Sequence, residues 1–262
     1  MILDHFRLDD KVAIVTGAGR GIGAGIATAF AEVGAHVVCA ARSPEQLEAV
    51  AEKVRAAGRR ALVVPCDVNE RAQLERLVTE TRKEFGRIDV LVNNAGGTPP
   101  KAALRTSERM LESAFHFNVT SAFLLSRFAI PHMLEAGGGS ILNISSAMGW
   151  LVERGFVAYG TAKAALAHMT ELLAYEMAPR VRVNALAVGS VETSALAPFL
   201  DGGVRERMES LTPMRRIGRV EDIALAALYL TSPASSFVTG KVVEVDGGLA
   251  ATSNMPMELP DL

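Results

Sequence analysis

Short apolar runs recur along the chain, and most of them are separated by a helical pattern. The runs cover residues 12–15, 36–40, 61–64, 88–92, 141–144, 182–186 and 241–245. An apolar run of this length is typical of a strand that is covered on both faces, as in a parallel sheet. The intervening segments carry apolar residues at three- and four-residue spacing, for example Ile22, Ile26, Phe30 and Val33. This alternation predicts an α/β fold, a doubly wound parallel sheet of about seven strands with helices on both faces.

The two longest helical patterns carry more apolar side chains than one buried stripe needs. One begins near Thr106 or Ser107 and runs to about Glu135, and the other opens around Tyr159. Their apolar side chains lie at Phe115, Phe117, Phe123, Leu124 and Phe128 in the first and at Ala164, Leu166, Met169 and Leu172 in the second. Helices of this kind are buried on more than one side, so we expect both to be covered further than the sheet alone requires.

Composition is that of a folded protein with a large core. Hydrophobic residues make up 49% of the 262 residues and charged residues 21%, which is too apolar for a disordered chain. The net charge of −2 argues against a nucleic-acid or anionic-membrane surface, because neither would be attracted strongly. No internal repeat, linker or low-complexity run divides the chain. We therefore predict a single domain over residues 1–262.

The two cysteines and the N-terminus bear on the cellular compartment of the protein. Cys39 and Cys66 sit beside predicted strands, where they are interpreted as buried small hydrophobes rather than a disulfide framework. The first residues, MILDHFRLDDK, carry charges where a signal peptide needs an apolar core. A run of about 18 apolar residues, as a membrane span requires, does not occur. These features predict a soluble cytoplasmic protein.

A glycine-rich turn joins the first strand to the first helix. It comprises Thr16, Gly17, Ala18, Gly19, Arg20, Gly21, Ile22 and Gly23. A strand, a glycine turn and a helix start place backbone N–H groups and the positive helix end at one point, which suits a pyrophosphate. Such a turn alone is a weak signal, but its place between a strand and a helix favours a Rossmann-like dinucleotide site.

The end of the second strand bears on which dinucleotide is bound. NAD-selective sites place Asp or Glu about 20 residues after the glycine loop, on the adenosine ribose. Here that position carries Ala40, Ala41, Arg42 and Ser43, with no carboxylate. Arg42 and Arg20 could clamp a 2′-phosphate. The alternative is two solvated surface arginines, which leaves NAD(H) possible; the missing acid favours NADP(H).

Candidate chemistry lies between the fifth strand and the helix that follows it. The strand ends in Ser145 and Ser146, and Tyr159 and Lys163 are four residues apart, on one face of a helix. A cation at ~4 Å from a phenolate is worth roughly 4 kcal/mol at an effective dielectric of about 20. That would lower the tyrosine pKa by about three units and allow acid–base work at neutral pH. Taken singly, each feature is as well explained by a turn, a cap or a surface pair.

The combination Ser146…Tyr159-x-x-x-Lys163, with the G-x-x-x-G-x-G turn, resembles the short-chain dehydrogenase/reductase family over nearly the whole chain. The resemblance implies that Ser146, Tyr159 and Lys163 are catalytic. It assigns Asn118 to a fourth catalytic position that holds a water linking Lys163 to solvent. On the residues alone, Asn118 could equally face solvent from a helix interior.

The same resemblance implies a set of cofactor contacts along the chain. An aspartate at position 67, which the residues alone explain as a helix or turn cap, would reach the adenine amino group. The Asn93–Gly97 segment would line the adenosine side and lock adjacent strands. The implied cofactor-binding residues are Gly17, Gly19, Arg20, Gly21, Ile22, Gly23, Ala41, Arg42, Asp67, Val68, Asn94, Ala95, Gly96, Tyr159, Lys163, Gly189, Val191 and Thr193.

Three features near the C-terminal end are less regular. Val188 stands where the family usually has proline, which we expect to loosen the turn before Gly189. Residues 190–216 are predicted to form a substrate lid in which Leu196, Phe199, Leu200, Met208, Leu211 and Met214 alternate with charges; a plain surface helix is the alternative. The tail, residues 250–262, has no periodic pattern and either docks on a neighbouring subunit or stays loose.

These expectations combine into an oxidoreductase that moves a hydride between NADP(H) and the carbonyl or alcohol of a hydrophobic small molecule, such as a steroid-like one. The alternative substrate class is a 3-oxoacyl-acyl-carrier-protein, although the turn at residues 135–139 lacks the basic charge that this acidic partner favours. A non-catalytic dinucleotide sensor or scaffold is the alternative of another class. The family implies a homotetramer or homodimer. The five histidines have no ligand spacing, so no metal is expected.

Overall fold

Parallel strands form one sheet in the computed structural model, which describes residues 1–249. The strands are β1 Val12–Thr16, β2 His36–Ala41, β3 Ala61–Pro65, β4 Val90–Asn93, β5 Gly139–Ser146, β6 Val181–Val188 and β7 Val242–Val245. Their order in the seven-stranded sheet is β3-β2-β1-β4-β5-β6-β7, and every neighbouring pair is parallel. The order reverses between β1 and β4, so the predicted doubly wound sheet is confirmed. No helix within residues 1–249 is long and apolar enough to cross a membrane.

The helices that connect these strands are α1 Gly21–Glu32, α2 Pro44–Ala56, α3 Arg71–Phe85, α4 Glu108–Phe115, α5 Ser121–Glu135, α6 Val157–Met177, α7 Val204–Leu211 and α8 Val220–Thr231. The predicted start near Thr106 or Ser107 is confirmed, because the Ser107 side chain accepts a hydrogen bond from Met110 N–H and caps α4. The prediction of one regular helix to Glu135 is wrong in one respect. A π-helical turn, His116–Thr120, separates α4 from α5.

The core lies in two layers because side chains alternate along each strand. In β1, Ala13 and Val15 pack on the layer that contains α1, α2 and α8, whereas Val12 and Ile14 pack on the layer that contains α3, α5 and α6. Each fully buried aliphatic side chain contributes on the order of 2 kcal/mol relative to solvent exposure. Both faces of the sheet are therefore covered, which explains why the strands are apolar without polar alternation.

Two strands begin or end at positions that differ from the predicted apolar runs, and polar residues explain the differences. The fourth run begins at Ile88, yet β4 starts at Val90, because the Asp89 carboxylate accepts hydrogen bonds from Val12 N–H at 3.0 Å and from Arg87. Burial raises the pKa of Asp89, but those hydrogen bonds hold the net value below its ordinary range. The fifth run, 141–144, is too short because β5 continues through two buried serines.

The predicted lid is only partly regular. It contains one turn of 3-10 helix at Ala197–Phe199 and the short helix α7. Leu200 is buried, whereas Leu211 and Met214 are 60% and 63% exposed. A salt bridge of 2.6 Å from Arg205 to Glu192 ties α7 to the segment after β6. The tail, residues 250–262, lies outside the described residues.

Candidate active site

The end of β5 and the first two turns of α6 bring three of the candidate catalytic residues together. Ser146 is the last residue of β5, and α6 carries Tyr159 and Lys163 four residues apart. Ser146 and Lys163 are 8% and 4% exposed, and the Tyr159 side chain is partly buried. The Ser146 side chain accepts a hydrogen bond from Met148 N–H at 3.2 Å and interacts with the Tyr159 hydroxyl. A phenol, a hydroxyl and an amine thus share one buried corner.

The Lys163 amine lies among backbone atoms of two strands. Its Nζ donates a hydrogen bond of 2.8 Å to the Ile144 carbonyl oxygen and lies 5.7 Å from the centre of the Tyr159 ring. A Cβ atom added at Gly96 would lie 3.0 Å from this nitrogen and 2.8 Å from Asn118 Oδ1. A larger residue at position 96 would therefore have to displace one or both of these side-chain ends.

Asn118 is the fourth residue that the structure brings to this corner. It is 1% exposed, so the solvent-facing alternative is wrong. Its amide donates to Ala114 O at 2.8 Å, and its Oδ1 accepts from Gly97 N–H at 2.9 Å. Asn118 lies in the π-helical turn, and its side chain donates to a carbonyl of the preceding helix α4. Retention of a water by Asn118 stays a prediction.

The electrostatics differ from the expectation for Tyr159. Burial raises the pKa of Tyr159, and the hydrogen bond with Ser146 lowers it by less than burial raises it. The expected lowering by Lys163 is wrong for this structure, because the amine is directed to the Ile144 carbonyl. Burial also lowers the pKa of Lys163 to about 8. Both groups therefore favour their neutral forms more than they would in water.

A buried polar network behind the corner fixes β5 against α6. Asn93 donates to Asn143 Oδ1, and Asn143 donates to Thr170 Oγ1, each at 2.9 Å. The Ser145 hydroxyl donates to the Lys163 carbonyl at 2.9 Å. Sequence reasoning missed these positioning contacts, although a polar Asn143 inside an apolar run was the available signal. The network sets how far Ser146 lies from Tyr159.

The glycine turn after β1 fits a bound pyrophosphate. Gly17 has a left-handed φ of +64°, and a Cβ atom at Gly23 would lie 2.3 Å from the Gly17 carbonyl oxygen. Within residues 1–249, no side chain caps the N-terminus of α1, so its first N–H groups are open to an anion. Thr16 Oγ1 accepts from the N–H groups of Asn94 and Ala95 at 3.0 Å, which confirms that this segment locks β1 to β4.

The residues predicted to bind the adenosine end of a dinucleotide lie beside the same turn. A Cβ atom at Gly19 would lie 3.9 Å from Ala41 Cβ, so the loop with Arg20 and the strand end with Arg42 are adjacent. Both arginine side chains are exposed, and neither forms a salt bridge in the part of the chain that the structure describes.

Asp67 and Val68 follow β3 along the same edge of the sheet. Asp67 Oδ1 accepts from Asn69 N–H at 3.0 Å, so Asp67 is a turn cap rather than the helix cap, and the N-cap of α3 is Glu70. Val68 is buried. Asp67 therefore lies at the carboxyl end of β3, where the adenosine side was expected.

The segment after β6 borders the opposite end of the turn. Val188 pairs with Val245, so the position where proline is usual belongs to the sheet ladder instead of a loosened turn. Gly189 is packed closely, because a Cβ atom there would lie 2.6 Å from Asp246 Cα. Val191 forms a bridge to Gly218, and Thr193 Cγ2 would lie 3.3 Å from a Cβ atom at Gly21. The predicted nicotinamide-side residues therefore meet the glycine turn.

No group of three or more metal-ligating side chains of His, Cys, Asp or Glu occurs within residues 1–249. Cys39 and Cys66 are unpaired and buried, and burial raises the pKa of their thiols to about 12 and about 11. They supply neither a nucleophile nor a ligand set at this site.

Comparison with known proteins places this geometry in a family. A family model described as enoyl-(acyl carrier protein) reductase matches residues 17–250. An uncharacterized oxidoreductase of Mycobacterium tuberculosis is 55% identical over 100% of both chains. The 7α-hydroxysteroid dehydrogenase of Escherichia coli is 37% identical over 94% of this chain and 96% of its own. The 3-oxoacyl-[acyl-carrier-protein] reductase of Thermotoga maritima is 36% identical over 93% and 99%.

Solved structures agree with the sheet and its connections. A 7α-hydroxysteroid dehydrogenase complexed with NADH and 7-oxoglycochenodeoxycholic acid superposes with a TM-score of 0.91, at 37% identity over 94% of this chain and 96% of that one. A gluconate 5-dehydrogenase of Burkholderia cenocepacia in complex with NADP and tartrate superposes with a TM-score of 0.90, at 32% identity over 97% and 100%.

Burial of Lys163 predicts a pH dependence of stability. Its folded pKa of about 8 is lower than the ordinary 10.5, so between these values the unfolded chain holds a proton that the folded chain has lost. Stability therefore rises with pH across this window. Lys163→Met removes the effect, so across this window the parent should gain roughly 3 kcal/mol in the free energy of unfolding relative to the variant.

Urea unfolding of the cofactor-free proteins at several pH values measures this difference. Lys53→Met serves as the control, because Lys53 is exposed near the end of α2. Parallel pH profiles for the parent and Lys163→Met would contradict the prediction.

Proposed function

The chain belongs to the short-chain dehydrogenase/reductase family and is an oxidoreductase of CH–OH and C=O groups, and from this premise we propose that it transfers a hydride between NADP(H) and a hydrophobic ketone or secondary alcohol. The observation that carries the proposal is the buried corner of Ser146, Tyr159 and Lys163 beside the glycine turn. Binding of a nicotinamide dinucleotide is also supported by the related structures with NADH and NADP.

Each side chain has a role that its position supports. The Tyr159 hydroxyl would give a proton to a carbonyl oxygen in reduction and take one from an alcohol in oxidation. Ser146, whose hydroxyl faces Tyr159, would hold that oxygen by a hydrogen bond. The Lys163 amine, between the ends of β4 and β5, would hold the nicotinamide ribose hydroxyls, and Asn118 would position Lys163. The nicotinamide, when bound, supplies or accepts the hydride.

The apolar surroundings favour a hydrophobic small molecule. The Phe156 ring packs edge-on against Tyr159 with centroids 6.2 Å apart. Trp150 and Val152 are exposed on the loop from β5 to α6, and Leu196 and Leu200 lie on the lid. A steroid-like ring system has the apolar surface that such walls favour, and a 7α-hydroxysteroid dehydrogenase is among the relatives.

A 3-oxoacyl-acyl-carrier-protein is the second candidate substrate, favoured by the family description and by the Thermotoga relative. Against it, residues 135–139 before β5 include no basic residue, and Glu135 there pairs with Arg82 at 2.9 Å. Activity on the carrier-bound substrate but not on its free thioester analogue would favour this candidate. Binding of NADPH without turnover on any ketone or alcohol would favour a non-catalytic sensor instead. The unpaired thiols support a cytoplasmic site of action.

Replacement of Tyr159 by phenylalanine tests the mechanism. Tyr159→Phe removes the proton donor and keeps the ring against Phe156, so we expect turnover to fall by at least about 1,000-fold while NADPH affinity stays within about twofold. Steady-state rates on a ketone and alcohol panel, together with a fluorescence titration of NADPH, measure both. Retained turnover would reject the mechanism.

The cofactor preference has its own test. Arg42→Asp places a carboxylate where NAD-selective sites have one, so NADPH affinity should fall by roughly tenfold or more and NADH affinity should hold or rise. Arg109→Asp is the matched control, because Arg109 is exposed in the first turn of α4. Equal or tighter binding of NADH by the unmodified protein would overturn the NADP(H) preference.

We also propose that copies of this chain pair through α4, α5 and α6. Their exposed apolar residues include Met110, Leu111, Phe115, Phe123, Leu172 and Tyr175, and a groove of 580 Å³ lies between α4 and α6. A dimer or tetramer in light scattering is expected. Leu172→Glu should shift it toward monomer, whereas Leu211→Glu on α7 should not. A monomeric parent protein would contradict the proposal.

A further inference from the structure

Two loops cross at the mouth of the candidate active site. The first, residues 97–107, leaves β4 where Gly96 faces Lys163 and Asn118. The second, residues 147–156, leads from Ser146 to α6 and ends at Phe156, whose ring packs on Tyr159. At the crossing, Lys101 N–H donates to Gly155 O at 2.8 Å, and a Cβ atom at Gly155 would lie 3.3 Å from Pro100 Cβ. The crossing is therefore a fixed part of the wall beside Tyr159.

The crossing carries positive charge on a chain whose net charge is −2. Lys101 and Arg154 flank it, and Arg105 follows in a short 3-10 turn that Thr106 closes by a hydrogen bond to Ala102 O at 3.1 Å. These three residues are called the cationic rim. All three are exposed, and none forms a salt bridge with any residue in the range 1–249. No acidic residue lies between positions 90 and 107.

Glu153 is the one acidic residue within residues 147–156. Its carboxylate accepts a hydrogen bond from the Arg154 backbone N–H at 2.6 Å, and it makes no salt bridge with the Arg154 guanidinium. The two loops together therefore keep a surplus of positive charge. Apolar side chains stand beside it, because Leu104, Trp150 and Val152 are all exposed on the same loops.

From this arrangement we infer that the substrate is amphipathic, with an apolar body that carries the reacting oxygen and a carboxylate or similar anionic group that the cationic rim binds at the mouth. The inference rests on the proposed function and adds the charge of the substrate to it. Apolar walls near Tyr159 hold the body, and exposed cations a short distance outward attract the anion. An anionic group also explains why a rim of unpaired cations borders an otherwise apolar opening.

Matched pairs of ketones test the inference. Each pair consists of a keto-carboxylate and its primary amide, such as 4-(4-oxocyclohexyl)butanoate with its amide, and further pairs carry decalin and steroid rings. The parent protein should show a kcat/KM at least fivefold higher for the carboxylate of a pair. In Lys101→Gln with Arg154→Gln this preference should fall to about twofold or less, with the loss in KM and not in kcat. Added salt should also reduce the preference of the parent.

The control is Lys53→Gln with Lys83→Gln, which removes the same charge from the last turns of α2 and α3, at the opposite edge of the sheet. It should keep the preference, and KM for the cofactor should stay unchanged in all variants. Turnover of both members of each pair with equal kcat/KM, or a preference that survives in the rim variant, would overturn the inference while the proposed function stands. Absence of turnover for every ketone would reject the proposed function itself.

Discussion

The candidate active site depends on the register between β5 and α6, because its hydroxyl comes from one element and its phenol and amine from the other. Two buried hydrogen bonds hold that register, Asn143 to Thr170 and Ser145 to the Lys163 carbonyl, and a third, from Asn93, fixes Asn143 against β4. Buried polar groups without partners cost several kcal/mol, so slippage of either element is strongly disfavoured. Apolar packing alone permits small adjustments, whereas paired amides and hydroxyls specify one alignment.

The same corner buries Lys163 and Tyr159, whose charged forms would be more stable in water. Lys163 is buried with its ammonium on the Ile144 carbonyl, and burial raises the pKa of Tyr159. The sheet supplies part of the compensation, because the Ile144 carbonyl of β5 accepts the Lys163 hydrogen bond, while the Asn118 side chain pairs with Gly97 N–H and Ala114 O. Gly96 leaves room beside Lys163 and Asn118, whereas Gly17 and Gly23 allow the glycine turn to pack closely against Asn94. Burial of these polar groups therefore lowers the stability of the fold at the proposed site for the dinucleotide and the substrate.

The segments around the site differ in how firmly they are held. The glycine turn, the Asn94 segment and Gly189 are held by close backbone contacts and strand ladders. The lid contains only a short helix, joined to the segment after β6 by the salt bridge of Arg205 with Glu192. Surface ion pairs of this kind contribute at most about 1 kcal/mol. The proposed cofactor contacts therefore lie on the rigid part of the fold, and the proposed substrate contacts lie on loops, which vary more than the elements they connect.

Periodicity of the chain was enough to predict seven strands, their parallel arrangement and the helices between them, because a doubly covered sheet demands continuous apolar runs. Spacing was enough to place Tyr159 and Lys163 on one helix face, which is a local property, and the resemblance to the family then nominated both residues and Ser146 as catalytic. Other features needed the assembled structure. The π-helical turn at Asn118, the partners of Asn143 and the direction of the Lys163 amine arise between elements far apart in the chain. The pKa of Tyr159 belongs to this second group as well, because burial depends on every neighbour, whereas the expected effect of Lys163 considered only one.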